Sequence, residues 1–395
     1  MKEVVKIVLK SGKDQSVKRY HPWIFSGAIK KIYGEPMEGD VVNVYSNQDE
    51  FLGAGHYQDS SIAVRILSFQ EMEIGEDFIA ERLNDAAKAR MGLGLLENSD
   101  TNVFRLVNAE GDGLPGLIID YYNGAAVMQF HSIGMHRQRA AIASGLKTIL
   151  GEKLTTVYDK SASTLPARYA SGFKNEYLLG ETGNAEVMEN ANRFSVDWEK
   201  GQKTGFFIDQ RENRNLLAGF ADGKKVLNLF GYTGGFSVYA LRGGAELVHT
   251  VDSSAHAIDL AKQNISLNFG KDTRHEGIKT DAFKYLESTK VEYDLVVVDP
   301  PAFAKHHNVL HNALQGYKKL NARAIEMIRP GGILFTFSCS QAVSKENFRK
   351  SVFVASANTG RRVRVLQQLS QPADHAVSIY HPEGEYLKGL VLLID

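Results

Sequence analysis

The sequence predicts a multidomain protein in which a small β-barrel precedes a central α+β domain and a C-terminal α/β domain with a Rossmann-like, mostly parallel sheet. The chain has 395 residues, which exceeds the usual size of one compact domain. Short strand patterns separated by turn residues fill roughly the first 70 residues, whereas strands and helices alternate regularly after about residue 191. The predicted domains are therefore 1–72, 73–190 and 191–395.

The first two predicted domains differ in the spacing of their apolar residues. Four early segments have β-branched or alternating patterns separated by turn residues, which favours a barrel: VVKIVLK, DVVNVYS, FLGAGHY and SIAVRILSF. Apolar residues then recur with helical spacing between Glu76 and Leu96. Three strand patterns, a helix near Arg137–Ile149 and a further strand follow, and we expect this α+β unit to end near Asn190.

From about Ala191, apolar strands alternate with helices, which is typical of a parallel sheet covered on both faces. Helical segments separate the strands KVLNLF, AELVHTVD, GIKTD, YDLVVVDPP and GGILFTFSCS. The last two strands, VRVLQQL and YLKGLVLLID, have no helix between them. We therefore expect these two strands to form an antiparallel pair at one edge of the sheet.

The composition excludes several classes of protein. Hydrophobic residues make up 43% of the chain and charged residues 23%, which excludes a disordered or collagen-like protein. The single cysteine, Cys339, can form neither an intrachain disulfide nor a Cys-based zinc site, and we expect no metal. No apolar run reaches the roughly 18–20 residues that span a bilayer, and the first residues are no secretory signal. We therefore expect a cytoplasmic protein without a membrane partner.

The overall charge is balanced, with 46 basic and 46 acidic residues, which by itself argues against a nucleic-acid partner. This balance is nevertheless the sum over three predicted domains that differ in net charge. The first predicted domain carries 9 basic and 9 acidic residues, the middle domain 11 basic and 16 acidic, and the C-terminal domain 26 basic and 21 acidic. The middle domain is therefore acidic and the C-terminal domain basic.

The N-terminal segment has a pattern that suits RNA. Residues 1–31 contain 8 basic residues against Glu3 and Asp14, and aromatic residues lie between them. Basic and aromatic side chains together bind RNA backbone and unstacked bases. A solvated strand over core aromatics is the alternative. The predicted RNA contacts are Lys18, Arg19, His21 and Trp23.

A glycine-rich loop follows the first strand of the C-terminal domain. In LNLFGYTGGFSV, the glycines at 231, 234 and 235 allow the backbone to approach a ligand closely. Asp252 ends the next strand, where a carboxylate can accept hydrogen bonds from ribose, and Asp281 ends the third, where adenine contacts are expected. NAD-binding folds and S-adenosylmethionine (SAM) methyltransferases share this geometry. This loop reads GYTGG and lacks the GxGxxG spacing, which disfavours NAD.

The segment GQKTGFFIDQRENR precedes that first strand. In methyltransferases such a segment often folds over the methyl donor. Phe207, Gln210 and Arg214 are therefore candidate contacts of the donor or of a phosphate. A helix cap with a basic surface face is the alternative.

The fourth strand of this domain ends in LVVVDPPAF. The two prolines stiffen the exit loop and remove backbone donors, so that Asp299 is presented beside the cofactor. Phe303 follows closely and suits the holding of a flat ring. A merely rigid strand-to-loop turn is the alternative.

Cys339 ends the fifth strand between two serines, at the same predicted sheet edge as Asp299. We interpret it as a nucleophile rather than as a small buried hydrophobe. Pyrimidine C5 is a poor nucleophile, but thiolate addition at C6 makes C5 carbanion-like, so that it can take a methyl group from a sulfonium. Asp299 could steady the ring by hydrogen bonding N3 or the exocyclic amine. The sequence does not identify the base that removes the C5 proton.

The chain resembles, over essentially its whole length, the bacterial ribosomal large subunit methyltransferase I family of SAM-dependent 23S rRNA cytosine-C5 methyltransferases. KSGKDQSVKRYHPWIFSGAI resembles the opening of their PUA domain (pseudouridine synthase and archaeosine transglycosylase), an RNA-binding barrel. RLVNAEGDGLPGLIIDYYN resembles their central domain. KTGFFIDQRENR, LNLFGYTGGFSV, DPPAF and SCS resemble their catalytic motifs. The resemblance implies a class I SAM methyltransferase domain with a mostly parallel, seven-stranded sheet.

The resemblance also implies roles for individual residues. Cys339 would be the nucleophile and Asp299 would lie in the target-base pocket. The predicted SAM contacts are Phe207, Gln210, Arg214, Asn228, Phe230, Gly231, Tyr232, Thr233, Gly234, Gly235, Asp252, Asp281, Ala282, Asp299 and Pro300. The predicted RNA contacts of this domain are Pro301, Phe303 and Lys305. The implied partner is large-subunit ribosomal RNA or a pre-ribosomal particle.

Two other functions stay open on the sequence. A guanine-N7 rRNA methyltransferase could use a similar catalytic domain, but N7 is already nucleophilic and needs no thiol, so Cys339 favours cytosine. A non-catalytic RNA-binding protein could retain the SAM fold. The sequence leaves open which nucleotide is modified, whether the substrate is naked RNA or a particle, and the oligomeric state, a homodimer included.

Overall fold

The computed structural model describes residues 4–181, 183–304 and 309–395. The chain divides into two compact units. The first unit comprises Met1–Val187, Val196–Phe206 and Ala373–Gly384, and the second comprises Met188–Ser195, Phe207–Pro372 and Glu385–Asp395. The predicted division into three domains stays a prediction. Within the described ranges, no helix is both long enough and apolar enough to cross a membrane.

The first unit begins with a six-stranded sheet in the order β2-β6-β5-β4-β1-β3. Every pairing in it is antiparallel except that of β1 with β4. Alternating side chains of these strands form their own apolar core. The predicted small β structure is confirmed, although β2 and β3 are too short and irregular for their pattern to show. The elements are β1 (Val5–Leu9), α1 (Gln15–Lys18), β2 (Trp23–Phe25), β3 (Ile29–Tyr33), β4 (Val41–Tyr45), β5 (Phe51–Tyr57) and β6 (Ile62–Ser68).

A second sheet of the first unit has five strands in the order β11-β10-β9-β8-β7. Helices α2 and α4 bury their apolar faces in the core that this sheet forms, as the predicted α+β pattern requires. The elements are α2 (Glu76–Gly92), β7 (Val103–Asn108), β8 (Leu117–Tyr122), β9 (Ala125–Phe130), α3 (Ile133–Arg137), α4 (Arg139–Leu150), β10 (Thr156–Asp159), α5 (Ala167–Ala170) and β11 (Glu176–Leu179). A two-stranded sheet follows, formed by β12 (Asn184–Glu189) and β13 (Asn192–Asp197).

A buried arginine ties the segment 373–384 to the rest of the first unit. Arg90 is 1% exposed and donates hydrogen bonds to both carboxylate oxygens of Asp112, at 2.5 and 2.7 Å. It also donates to the carbonyl of Asp374 at 2.7 Å. These acceptors compensate the desolvated charge of Arg90. The same guanidinium therefore holds both Asp112 and the segment 373–384.

The second unit contains a seven-stranded sheet in the order β16-β15-β14-β17-β18-β20-β19. The first five strands in this order are parallel, and β20 runs antiparallel to both of its neighbours. The predicted parallel sheet and the antiparallel pair at its edge are thereby confirmed. The strands are β14 (Lys225–Leu229), β15 (Leu247–Asp252), β16 (His275–Lys279), β17 (Tyr293–Val298), β18 (Ile328–Ser338), β19 (Val363–Leu369) and β20 (Lys388–Ile394). The helices are α6 (Arg211–Ala218), α7 (Gly235–Arg242), α8 (Ala255–Phe269), α9 (Ala282–Ser288), α10 (Leu310–Met327) and α11 (Lys345–Thr359).

The register of the parallel strands decides which side chains meet. Leu229, the last residue of β14, pairs with the residue before Asp252 on one side and with the residue before Asp299 on the other. Asp252 and Asp299 therefore flank the glycine loop at the same edge of the sheet. Strand β18 is parallel to β17, so Cys339 leaves the sheet at this edge as well.

We predict that Arg90→Ala destabilises the first unit strongly, because it leaves the buried Asp112 carboxylate without its cation. The expected loss is about 3–5 kcal/mol of unfolding free energy. Arg82→Ala is the matched control on the same helix, since Arg82 forms a more exposed pair with Asp85 at 3.3 Å. That control should cost about 1 kcal/mol or less. Urea denaturation measures the unfolding free energy of both variants. Equal losses would contradict the stabilising role given to the buried pair of Arg90 and Asp112.

Candidate active site

The loop between β14 and α7 folds into an unusually tight turn. Phe230 and Tyr232 adopt left-handed conformations with φ of 58° and 43°, and Gly234 does so with φ of 74°. The Gly234 amide donates to the carbonyl of Gly231 at 2.7 Å and closes the turn. Left-handed conformations at residues other than glycine cost about 1–3 kcal/mol each and are concentrated at ligand sites.

The loop glycines are also required by packing within the protein. A Cβ atom on Gly231 would lie 2.3 Å from Cγ2 of Thr250 in β15. A Cβ atom on Gly234 would lie 2.9 Å from Cβ of Ala261 in α8. The sequence explains these glycines by close approach to a ligand, whereas the structure adds that they let the loop sit against β15 and α8.

Asp252 is oriented by backbone amides on both sides. Its Oδ2 accepts from the amide of Tyr232 at 3.1 Å, and its Oδ1 accepts from the amide of Ser254 at 2.9 Å. A carboxylate has about four acceptor positions, so each oxygen can still accept from a hydroxyl group. The ring of Tyr232 lies edge-on to Phe207, with 5.2 Å between centroids.

Two of the predicted SAM contacts, Asn228 and Arg214, form hydrogen bonds with other side chains of the second unit. Asn228 donates to Oγ of Ser237 at 2.9 Å, which joins the end of β14 to α7. Arg214 is 3% exposed and donates to both carboxylate oxygens of Glu189, at 2.8 and 2.7 Å. Arg214 also donates to the carbonyl of Phe207 at 3.0 Å, so it holds that segment from within the protein.

The remaining predicted contacts lie at helix starts around the same edge. The carbonyl of Thr233 accepts from Nδ2 of Asn264 at 2.9 Å. The carboxylate of Asp281 caps α9 by accepting from the amide of Lys284 at 3.1 Å, and Ala282 is the buried first residue of that helix.

A chain of amides orients Asp299. Gln210 donates from Nε2 to Oδ2 of Asp299 at 3.0 Å. Asn213 in turn donates from Nδ2 to Oε1 of Gln210 at 2.6 Å, which fixes the orientation of that amide. Gln210, predicted as a cofactor contact, therefore meets the catalytic candidate Asp299 directly. Asn213 had no signal in the sequence beyond its position in the same segment.

Two buried serines hold the end of β18 and present Cys339. Ser338 donates to the hydroxyl of Tyr317 at 2.9 Å, and Ser340 donates to the carbonyl of Ala304. Cys339 lies between them, half-buried, with its Sγ 3.9 Å from the carbonyl oxygen of Pro300. The thiol therefore faces the Asp-Pro-Pro loop, as the strand order predicts.

Lys388 is a further residue at this site that sequence reasoning missed. It is 5% exposed, and its Nζ donates to the carbonyl of Ser340 at 2.6 Å. Burial lowers the pKa of Lys388 to about 8, although the neighbouring Cys339 acts in the opposite direction. A cation near a thiol favours the thiolate. The only signal in the sequence is a lysine at the start of the apolar run YLKGLVLLID.

Tyr317 lies under the Asp-Pro-Pro loop. Burial raises the pKa of Tyr317 to about 12, so the phenol stays neutral and its hydroxyl can accept from Ser338. Phe303, a predicted RNA contact, packs on the Tyr317 ring with 4.7 Å between centroids. Pro301 is exposed beside it, and Lys305 lies outside the described residues.

The other predicted RNA contacts lie in the first unit. Lys18 forms ion pairs with Asp14 at 3.1 Å and with Glu50 at 2.7 Å. Arg19 is exposed, and Trp23 is partly buried and donates from Nε1 to Glu110 at 2.8 Å.

His21 belongs to a group with metal-ligand geometry. Its Nε2 lies 3.4 Å from Glu383, and Nε2 of His381 lies 3.7 Å from the other oxygen of that carboxylate. The ligand atoms of this group lie within 4.8 Å of one another. The sequence predicts no metal, and that expectation stays a prediction.

We predict that Gly234→Ala lowers the unfolding free energy by more than backbone strain alone would, because the added Cβ also collides with Ala261. Gly223 is the matched control, since its φ of 65° is similar but its Cβ direction is open. Gly223→Ala should cost about 1 kcal/mol of unfolding free energy from strain, and Gly234→Ala about 1–3 kcal/mol more from overpacking. Chemical denaturation together with calorimetric SAM titration measures both effects. Adding Ala261→Gly should recover part of the loss, and equal costs at the two glycines would contradict the packing explanation.

Comparison with known proteins agrees with the fold. A family model described as S-adenosylmethionine-dependent methyltransferase matches residues 114–376, and a PUA-like domain model matches residues 7–69. The chain is 40% identical to "Ribosomal RNA large subunit methyltransferase I" of Aeromonas hydrophila over 395 residues, and 37% identical to the Escherichia coli protein of the same name over 392, with 98% of each chain covered in both cases.

Solved structures show the same fold. A candidate SAM-dependent methyltransferase from Streptococcus mutans superposes with a TM-score of 0.84 at 23% identity, covering 98% of this chain and 99% of that one. A second methyltransferase structure, complexed with SAH, gives 0.85 with the same identity and coverage. With full-length curated relatives at this identity, the chain belongs to the ribosomal RNA large subunit methyltransferase I family of SAM-dependent methyltransferases.

Proposed function

We propose that this protein methylates C5 of a cytosine in large-subunit ribosomal RNA, with Cys339 as the nucleophile that adds to C6. The observation that carries the proposal is the position of the thiol at the sheet edge shared with Asp299 and the glycine loop. The names of the curated relatives support the RNA substrate. A lone thiol that must stay reduced is consistent with action in the cytoplasm.

The glycine loop and Asp252 fit the adenosyl part of SAM. The Asp252 carboxylate is held by two backbone amides and can accept from two adjacent hydroxyl groups, which is the donor pattern of a ribose. Phe207 and Tyr232 supply an aromatic wall beside it, and Arg214 fixes the backbone of Phe207. When bound, SAM supplies a methyl group activated by its sulfonium.

Cys339 activates the target base, and Asp299 holds it in place. The Cys339 thiolate adds to C6 and moves the electron pair of the C5–C6 double bond onto C5, which makes C5 nucleophilic. Asp299, oriented by Gln210, accepts a hydrogen bond from the cytosine amino group and holds the ring in place. Once C5 carries the methyl group, loss of its proton restores the double bond and expels the thiolate. Lys388 lies near the sulfur and stabilises the thiolate form that both attacks and leaves.

The RNA is proposed to contact both units. In the first unit the candidates are Lys18, Arg19, His21 and Trp23, and in the second they are Pro301 and Phe303 at the Asp-Pro-Pro loop. Of the cations in this set, Arg19 is the stronger candidate, because Lys18 already pairs with two carboxylates.

We predict that Cys339→Ser lowers methyl transfer by a factor of about 10³ or more, because a serine hydroxyl is a far weaker nucleophile at neutral pH. Calorimetric titration should show unchanged SAM affinity. Nucleoside mass spectrometry of treated ribosomal RNA identifies the product, and 5-methylcytidine is expected. Formation of 7-methylguanosine, or full turnover by the variant, would refute the proposal.

A covalent trap tests the adduct separately. RNA that contains 5-fluorocytidine cannot lose a proton from C5 after methylation, so the Cys339 adduct should persist on a denaturing gel. Cys339→Ser is the control and should give no such band. A trapped band with the variant would place the covalent bond on another residue.

We predict that Arg19→Gln weakens RNA binding about threefold to tenfold, because it removes one exposed cation from the RNA surface. Lys18→Gln is the matched control and should have a smaller effect, since its charge is already shared with Asp14 and Glu50. Fluorescence anisotropy with a labelled RNA measures both. Equal affinities for Arg19→Gln and the unmodified protein would count against RNA contact by this segment.

A further inference from the structure

A concave site lies in the second unit between α11, β19 and β20. Its volume is about 420 Å³. It is bounded by the first turns of α11, the end of β19 and the start of β20. These ends of β19 and β20 lie at the same sheet edge as Cys339, because Ser338 pairs with Lys388 across the antiparallel ladder.

Three cations line this pocket against one carboxylate. Lys345 and Arg349 stand one helical turn apart on α11, and Lys388 reaches the pocket from β20. The carboxylate is Glu346, which pairs with Lys350 at 2.7 Å. Lys345 forms a largely exposed pair with Glu385, a kind of contact that contributes little free energy. Among the described residues, no carboxylate is within ion-pair distance of Arg349.

Each of these placements is unfavourable for the protein alone. Lys345 is the first residue of a 15-residue helix, where the helix dipole favours negative charge. Like charges four residues apart repel each other along the same helix face. Lys388 is nearly completely buried, and its neighbour Lys345 lowers its pKa in the same direction as burial does. A bound anion would relieve all three costs together.

We propose that this pocket binds a phosphate of the RNA backbone next to the nucleotide that Cys339 attacks. Lys345 and Arg349 supply charge, and Gln368 and Ser370 at the end of β19 add polar lining. The inference rests on the proposed function, because it takes RNA as the substrate. It adds a site for the RNA backbone that would place the target base relative to the thiol. Lys388 links the two, because it lines the pocket and also donates to the carbonyl of Ser340, the residue after Cys339.

The salt dependence of RNA binding tests the proposal. With a labelled single-stranded RNA, the slope of log K against log salt should shrink by about 0.7 for each phosphate-binding cation removed. Arg349→Gln should therefore lower the slope by about 0.7, and the Lys345→Gln, Arg349→Gln double variant by more than that and up to about 1.4, since Lys345 shares its charge with Glu385. Both positions are exposed, so neither variant should impair folding. Lys224→Gln is the control, because Lys224 is an exposed cation just before β14, outside the pocket lining, and its removal leaves Glu346 paired with Lys350.

The outcomes separate this pocket from the methylation chemistry. A double variant with an unchanged slope overturns the pocket proposal, whatever its methylation activity. A reduced slope with unchanged alkylation of Cys339 by iodoacetamide supports it. Inorganic phosphate that competes with RNA for the unmodified protein but not for the double variant supports it further. A pocket that takes inorganic phosphate without any change in the RNA slope overturns it, because the site then serves a small anion.

Discussion

The parallel pairing of β15, β14, β17 and β18 is the constraint on which the functional site depends. Parallel strands must start at one edge and end at the other, so every loop that follows them emerges at the same edge. The register places Asp252 and Asp299 on either side of the glycine loop, and Cys339 beyond Asp299. A single slip in one of these pairings would move a strand-end residue away from the edge that the glycine loop and the thiol share.

Two buried cations of the second unit, Arg214 and Lys388, are compensated in different ways. The pair of Arg214 and Glu189 is bidentate and fully compensated, so it stiffens the segment that carries Phe207. Lys388 donates to the carbonyl of Ser340, and its pKa falls to about 8 because it is buried. The first arrangement holds the Phe207 segment, a proposed wall of the SAM site, whereas the second keeps a cation near Cys339, where it favours the thiolate.

Much of the fold was predictable, because it depends on local periodicity. The apolar strands of the second unit, the helices between them and the antiparallel pair at its edge follow from the spacing of apolar residues. The strands β2 and β3 were missed, because three or five residues without clean alternation carry little signal. The membership of the segment 373–384 in the first unit was also beyond the sequence, because contacts such as that of Arg90 with Asp374 join residues far apart in the chain.

For the site, the sequence by itself determined which residue types lie at the strand ends: the loop glycines, Asp252, Asp299 and Cys339. Strand order and strand polarity are enough for that, since the carboxyl ends of parallel strands share an edge. Only the tertiary structure decided where each side chain points. Arg214 and Asn228 turn to partners inside the unit, Gln210 meets Asp299, and Lys388 comes to Cys339 from a strand nearly 50 positions later. Hydrogen-bond partners and desolvation depend on contacts between distant segments, and no local pattern of residues encodes them.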